Sequence, residues 1–190
     1  ANWRAAYDTP TYYFVRHLDN LSFAATMAFD NTLAADAAME ALRIAELTGE
    51  ETADELTKRR QNTAHHLLLA GKLEQAEPLF ERALAEQQNG QEELDLLWNL
   101  AAIYYLRNDD PSYEELKARI LRHLAAVNYS IVEVGREGYW AVPTGRAHLA
   151  LVKLDIALQL VDDDTGIEDT ERLDWMISSA NALMIHGFVD

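Results

Sequence analysis

The sequence predicts an all-α chain, an array of antiparallel helix hairpins stacked as an α-solenoid, and three observations carry that reading. Apolar residues recur at helical spacing through most of the 190 residues. Short patterns of small and large residues return after 37 to 40 positions. The eight glycines fall between the periodic stretches, where they are read as helix stops.

About eight helices follow in order. The first spans 10–29, with Thr9 as N-cap and Pro10 in the first turn. The second, 32–47, is Ala-rich and carries Leu33, Ala37, Leu42 and Ile44. The third, 52–70, turns Leu56, Ala64, Leu67 and Leu68 to one side. The fourth, 74–88, repeats Leu73, Ala76, Phe80, Ala83 and Leu84 before Asn89-Gly90. The fifth covers 92–107. The sixth, 112–128, opens on Ser112-x-x-Glu115, which fits a capping box. The seventh covers 146–161. The eighth, 168–185, follows Thr165-x-x-Glu168, a second candidate box. Between the sixth and seventh, Ser130 to Val134 is the one strand-like piece, inside a Gly-rich connection. Short connections make neighbouring helices antiparallel.

The repeat decides the architecture. Ala38-x3-Leu42-x2-Ala45 returns as Ala76-x3-Phe80-x2-Ala83, 38 residues on, and Leu116-x3-Ile120 follows after 40 more. In the preceding helices, Asn62-x-Ala64-x2-Leu67 returns as Asn99-x-Ala101-x2-Tyr104, 37 residues on. Small residues let two helices approach, and large ones fill the space opposite. A two-helix unit cannot bury its apolar face alone, so stacking is required.

Those residues resemble the tetratricopeptide repeat (TPR) family. Leu97-x2-Leu100-Ala101-x2-Tyr104 is similar to its first-helix pattern, Gly71-Lys72-Leu73 to its turn, and Ala76-x3-Phe80-x2-Ala83 to its second helix. The run 76–84 is most similar to the kinesin-light-chain-like branch, and the resemblance spans 57–125. Arg60 stands in the usual tryptophan slot, Gln88 replaces a closing proline, and Asp109-Asp110-Pro111 lengthens a turn. The resemblance implies one TPR-like domain over 1–190. Within it, 1–50 is a diverged N-terminal pair and 51–128 holds the two best repeats. A Gly-rich linker then covers 129–145, and 146–190 is a C-terminal helix pair or cap.

Composition narrows the function. Lys plus Arg is 16 against 32 Asp plus Glu, a formal net charge of −16. Such a surface repels nucleic acid and anionic membrane and suits a partner with a basic segment. There is no cysteine, which excludes disulfides, thiolate zinc sites and a cysteine nucleophile. No apolar run of about 18 residues is present, so no membrane insertion is expected. The compartment stays open, with a lean to the cytoplasm. No cofactor or metal is expected. The six histidines form no H-E-x-x-H, no phosphate loop or nucleophile elbow occurs, and Asp162-Asp163-Asp164-Thr165-Gly166 has the wrong spacing for calcium.

The resemblance further implies that a peptide or partner helix lies on a concave face lined by the first helix of each pair. That face would present Lys58, Gln61, Asn62 and His65, then Asp95, Trp98, Asn99, Ala102 and Tyr105. The asparagine amides can hold a peptide backbone whatever its side chains, because each both donates and accepts. Trp98 and Tyr105 would add apolar area with a polar tip. The segment 135–143, with Tyr139 and Trp140 between glycines, is read as an irregular connection anchored to the core. The function expected is a non-catalytic protein-interaction scaffold. The alternatives are a self-associating helical unit that fills its own groove or a second copy's, or a helical-bundle enzyme or metalloprotein.

Overall fold

The computed structural model describes residues 12–86, 90–161 and 167–185, and among them the chain forms nine α-helices and no strand. They are α1 (Tyr12–Met27), α2 (Asn31–Thr48), α3 (Ala53–Leu69), α4 (Leu73–Glu86), α5 (Gly90–Leu106), α6 (Asp110–Ala126), α7 (Ile131–Ala141), α8 (Ala147–Leu160) and α9 (Asp169–Ile185). Their contacts gather in two compact units, Ala1–Asn89 and Gly90–Asp190, where the sequence suggests one domain. The two best repeats fall one in each unit. None of these helices is long and apolar enough to cross a membrane. Thr9, Pro10, the acidic run 162–166 with its Thr165 box, Gly166 and Gly187 lie outside the described residues.

In the first unit α1 pairs with α2 and α3 with α4, and α2 packs against α3. Alanine makes this possible. Ala34, Ala35, Ala37, Ala38, Ala41 and Ala45 are all buried on α2, so a neighbour can lie close on more than one side. Ala64, Leu67, Leu68, Ala76, Phe80 and Ala83 complete the core at the positions the repeat marks. The helix ends are defined by short-range chemistry. Gly49 ends α2 at φ 62°, a left-handed conformation that most residues resist. Thr52 and Glu55 cap α3 reciprocally. Pro78 sits in the second turn of α4, where it forgoes a single backbone bond.

Arg60 explains the departure from the family pattern. It is buried on α3, and its guanidinium donates to Glu46 of α2 at 3.1 Å and Glu86 of α4 at 2.7 Å. An ionic tie between three helices replaces an apolar ring.

The second unit departs from the sequence reading. α5 pairs with α6, and the residues read as a Gly-rich linker contain a helix, α7. The strand-like piece is its first turn: Ser130 is the N-cap and forms a capping box with Glu133. Gly135 and Gly138, read as helix stops, are buried inside α7. A Cβ on Gly135 would lie 2.2 Å from the Trp175 ring of α9, and one on Gly138 2.9 Å from Leu154 of α8. Close approach, not chain reversal, is what these glycines provide. Ser112 is not the cap of α6 either. Asp109 takes that role and accepts from the Ser112 N–H, which leaves Pro111 in the first helical turn instead of lengthening a loop.

The order of helices in space differs from their order in the chain. α8 packs against α5 and is tied to α6 by the Tyr113 hydroxyl, which donates to Asp155 at 2.5 Å. α7 packs chiefly on α8, its neighbour in the chain, and also touches α9, which packs on α8 in turn.

Candidate binding surfaces

In the first unit α1 and α3 face one another across an open groove of about 730 Å³. Its base is built from paired groups. Ser22 donates to the Ala34 carbonyl at 2.9 Å, and Thr26 donates to the Ser22 carbonyl at 2.9 Å while lying 3.4 Å from His66 Nδ1. Burial lowers the pKa of His66, which favours the neutral ring. Arg59 bridges the helices, with Asp19 of α1 and Glu51 each at 2.6 Å. Burial opposes its charge, but the two carboxylates more than compensate and raise its pKa.

Of the four residues expected from this helix, Lys58 and Asn62 line the groove, and Gln61 and His65 do not. Lys58 is held by Asp54 at 2.7 Å. His65 lies edge-on to His66, with centroids 6.2 Å apart. Asn62 is exposed. Opposite it, Phe23 of α1 is 68% exposed and also lines the groove. Sequence reasoning missed Phe23 because residues 1–50 carry little of the repeat pattern.

In the second unit the five residues expected on α5 separate, and Ala102 is buried in the core instead of facing a groove. Asp95 and Trp98 line a cavity of about 530 Å³ bounded by α5, α6, α7 and α8. Trp98 is buried rather than displayed, and Lys153 of α8 sits 5.1 Å above its ring. Lys153 also donates to Glu137 of α7 at 2.5 Å, and the Tyr129 hydroxyl donates to the same carboxylate at 2.5 Å. Burial works against the charge on Glu137, yet these two donors hold its pKa below the usual carboxylate value; the same contact pushes Tyr129 up to about 12. Asp95 goes the other way: burial raises its pKa. Trp140, on the cavity rim, is 63% exposed, and Tyr139 is half-buried with its ring 5.2 Å away. Both stand on α7, so the segment read as an irregular connection is helical here.

Tyr105 lines a different cleft, of about 580 Å³, with Tyr113, Asp155 and Gln159. It stacks edge-on to Tyr113 at 5.4 Å. Asn99 lines neither space. Its Nδ2 donates to the Asp95 carbonyl one turn back at 2.8 Å, so the amide is bound to its own helix. The equivalence between Asn62 and Asn99 in the sequence is not an equivalence of presentation. Among the described residues, no three His, Asp or Glu side chains are grouped to hold a metal ion.

No protein-family profile matches the chain, and no curated protein does. Solved structures do. A kinesin-light-chain-like protein of Podosopora anserina, built of nearly identical TPR-like repeats, superposes with a TM-score of 0.56 at 14% identity, over 95% of this chain and 90% of its own. A point variant of the same protein gives 0.57 and 14%, over 91% and 86%. BtubC of P. vanneervenii aligns more loosely, at 0.46 and 17% over 92% and 81%. The first two, together with the hairpin packing above, establish that this chain has the TPR-like helical-repeat fold.

Proposed function

We propose that the protein is a non-catalytic interaction scaffold that holds a segment of a partner protein in the α1–α3 groove. The observation that carries this is the pairing of an exposed Phe23 with the exposed amide of Asn62 across that groove. An aromatic ring supplies apolar area, and an amide can both donate to and accept from a backbone. The rim carboxylate of Glu50 and the net charge of −16 favour a segment that carries a basic residue beside an apolar one. TPR-like folds generally serve protein interactions, which supports the class of function.

The exposed Trp140 supports a second contact surface, the α5–α7–α8 cavity, for the same class of partner. Affinity capture from the native extract separates the two. The baits are the wild type, a Phe23→Ala, Asn62→Ala double variant, and Trp140→Ala, each checked for helicity. The captured segment is then made as a peptide and titrated. Loss in the double variant alone supports the groove, and loss in Trp140→Ala alone moves the site to the second unit. A peptide bound equally by all three rejects both surfaces.

A further inference from the structure

Helix α9 has two apolar faces. One is turned inward through Trp175, Ser178 and Ala182, all buried in the second unit. The other lies opposite. Leu173, Ile177 and Met184 are 55%, 50% and 56% exposed, and Ala180 is exposed between them. The spacing is four, three and four residues, which is the seam of a coiled coil, with Leu173 and Ala180 at one core position and Ile177 and Met184 at the other. The inner face needs no such regularity. A two-heptad seam on an exposed face selects an α-helix as its occupant.

We propose that this occupant is α9 of a second copy, paired antiparallel about a two-fold axis. The sequence of the seam is complementary to itself in that arrangement. With the axis between Ser178 and Ser179, Leu173 meets Met184 of the other copy and Ile177 meets Ala180, so each layer joins unlike core positions and the branched side chain faces the small one. On one flank Asp174 lies beside Asn181 of the other copy, and on the other flank Met176 lies beside Leu183. No like charges oppose, although the chain carries a net charge of −16. A parallel pairing would set Ala180 against Ala180 and leave an empty layer. A helix of 17 residues, about 25 Å long, is already ordered by its packing on α7 and α8, so the pairing orders no new backbone. A symmetric contact of this kind closes on itself and gives a dimer, not a fibre.

The test uses the full chain. Sedimentation velocity across a concentration series is expected to show a dimer with a dissociation constant in the micromolar range. Ile177→Glu with Met184→Glu is expected to give a monomer of unchanged helicity. Asn181→Lys, which would face Asp174 twice in the dimer, is expected to tighten it by about threefold to tenfold, a gain that misfolding cannot produce. For the direction of pairing, the natural lack of cysteine allows a clean cross-link. A mixture of Leu173→Cys and Met184→Cys chains is expected to form the mixed disulfide, and Leu173→Cys alone is not. A wild-type monomer at about 100 μM overturns the proposal. So does a dimer that survives the double glutamate variant, an Asn181→Lys variant that loosens the dimer, or efficient cross-linking of Leu173→Cys to itself.

Discussion

The ring of Trp175 fills the space that a side chain on Gly135 would need, since a Cβ there would sit 2.2 to 2.5 Å from three of its carbons. Trp175 is 1% exposed, so the ring has nowhere to retreat. Overpacking costs roughly 1–3 kcal/mol, against which alanine regains about 1 kcal/mol of helix propensity. Gly135→Ala should therefore destabilise the second unit by about 1 kcal/mol net, read from urea denaturation. Adding Trp175→Phe should return part of that loss, a coupling absent if the two positions act independently.

Arg60 is predicted to tolerate lysine poorly. Its guanidinium spans Glu46 and Glu86 at once, and an ammonium group offers no such planar fork. Arg60→Ala should destabilise the first unit by about 2 kcal/mol or more, because a buried guanidinium is lost and the more exposed Arg82 is left to neutralise Glu46 and Glu86. Removing both carboxylates with Arg60→Leu should recover much of this. Thermal unfolding of the three variants checks the order.

The acid limb of stability should involve Glu86 and Glu93. Glu86 is lowered first by its bond from Thr57 and then by Arg82 and Arg60, and Glu93 first by Arg119 and then by His123. A carboxylate whose folded pKa lies below its ordinary 4.5 contributes stability above that pH and loses it as pH falls through the folded value. Thr57→Val and Arg119→Met should each reduce stability at pH 7 more than at pH 3, measured by chemical denaturation at both.

Asp95 should show the opposite sign. Burial raises its pKa above the ordinary 3.8, so its charge opposes folding at neutral pH and the penalty disappears once both states are protonated. Asp95→Asn is expected to raise the melting temperature at pH 7 and to be indistinguishable from wild type near pH 3. Equal gains at both pH values would locate the effect in packing rather than charge.

Asn62→Ala and Asn99→Ala are predicted to differ although the sequence places them alike. The first removes a group displayed in the groove, and should weaken a captured peptide by about tenfold with no change in stability. The second removes a bond to the Asp95 carbonyl, and should leave the same peptide unaffected. Titration of that peptide into both variants decides it.

The helical array was legible because its signal is local and repeated. Ala76, Phe80 and Ala83 mark a buried face by their spacing alone, and all three are buried. α7 was not legible, because the reason for Gly135 is an indole on another helix, and single-sequence reasoning sees only a residue that disfavours helices. The cap of α6 could have been read correctly: Pro111 suits a first helical turn, which points to Asp109 rather than Ser112. For the candidate surfaces, sequence reasoning could not tell a displayed side chain from a covered one. Trp98 lies under Lys153, Asn99 is bound to its own backbone, Phe23 stands where no motif pointed, and Trp140 is displayed from a segment read as anchored to the core.

The late arrival of Trp175 bears on how the chain emerges during synthesis. Hairpins such as α5–α6 and α7–α8 can close as soon as their second halves leave the ribosome, because each partner is its immediate neighbour. The space beside Gly135 is filled only when α9 follows, and two buried glycines make α7 a poor helix in isolation. The last step in maturing this half of the molecule is thus the docking of Trp175, and a chain stopped short of α9 would expose the surfaces that chaperones and proteases recognise.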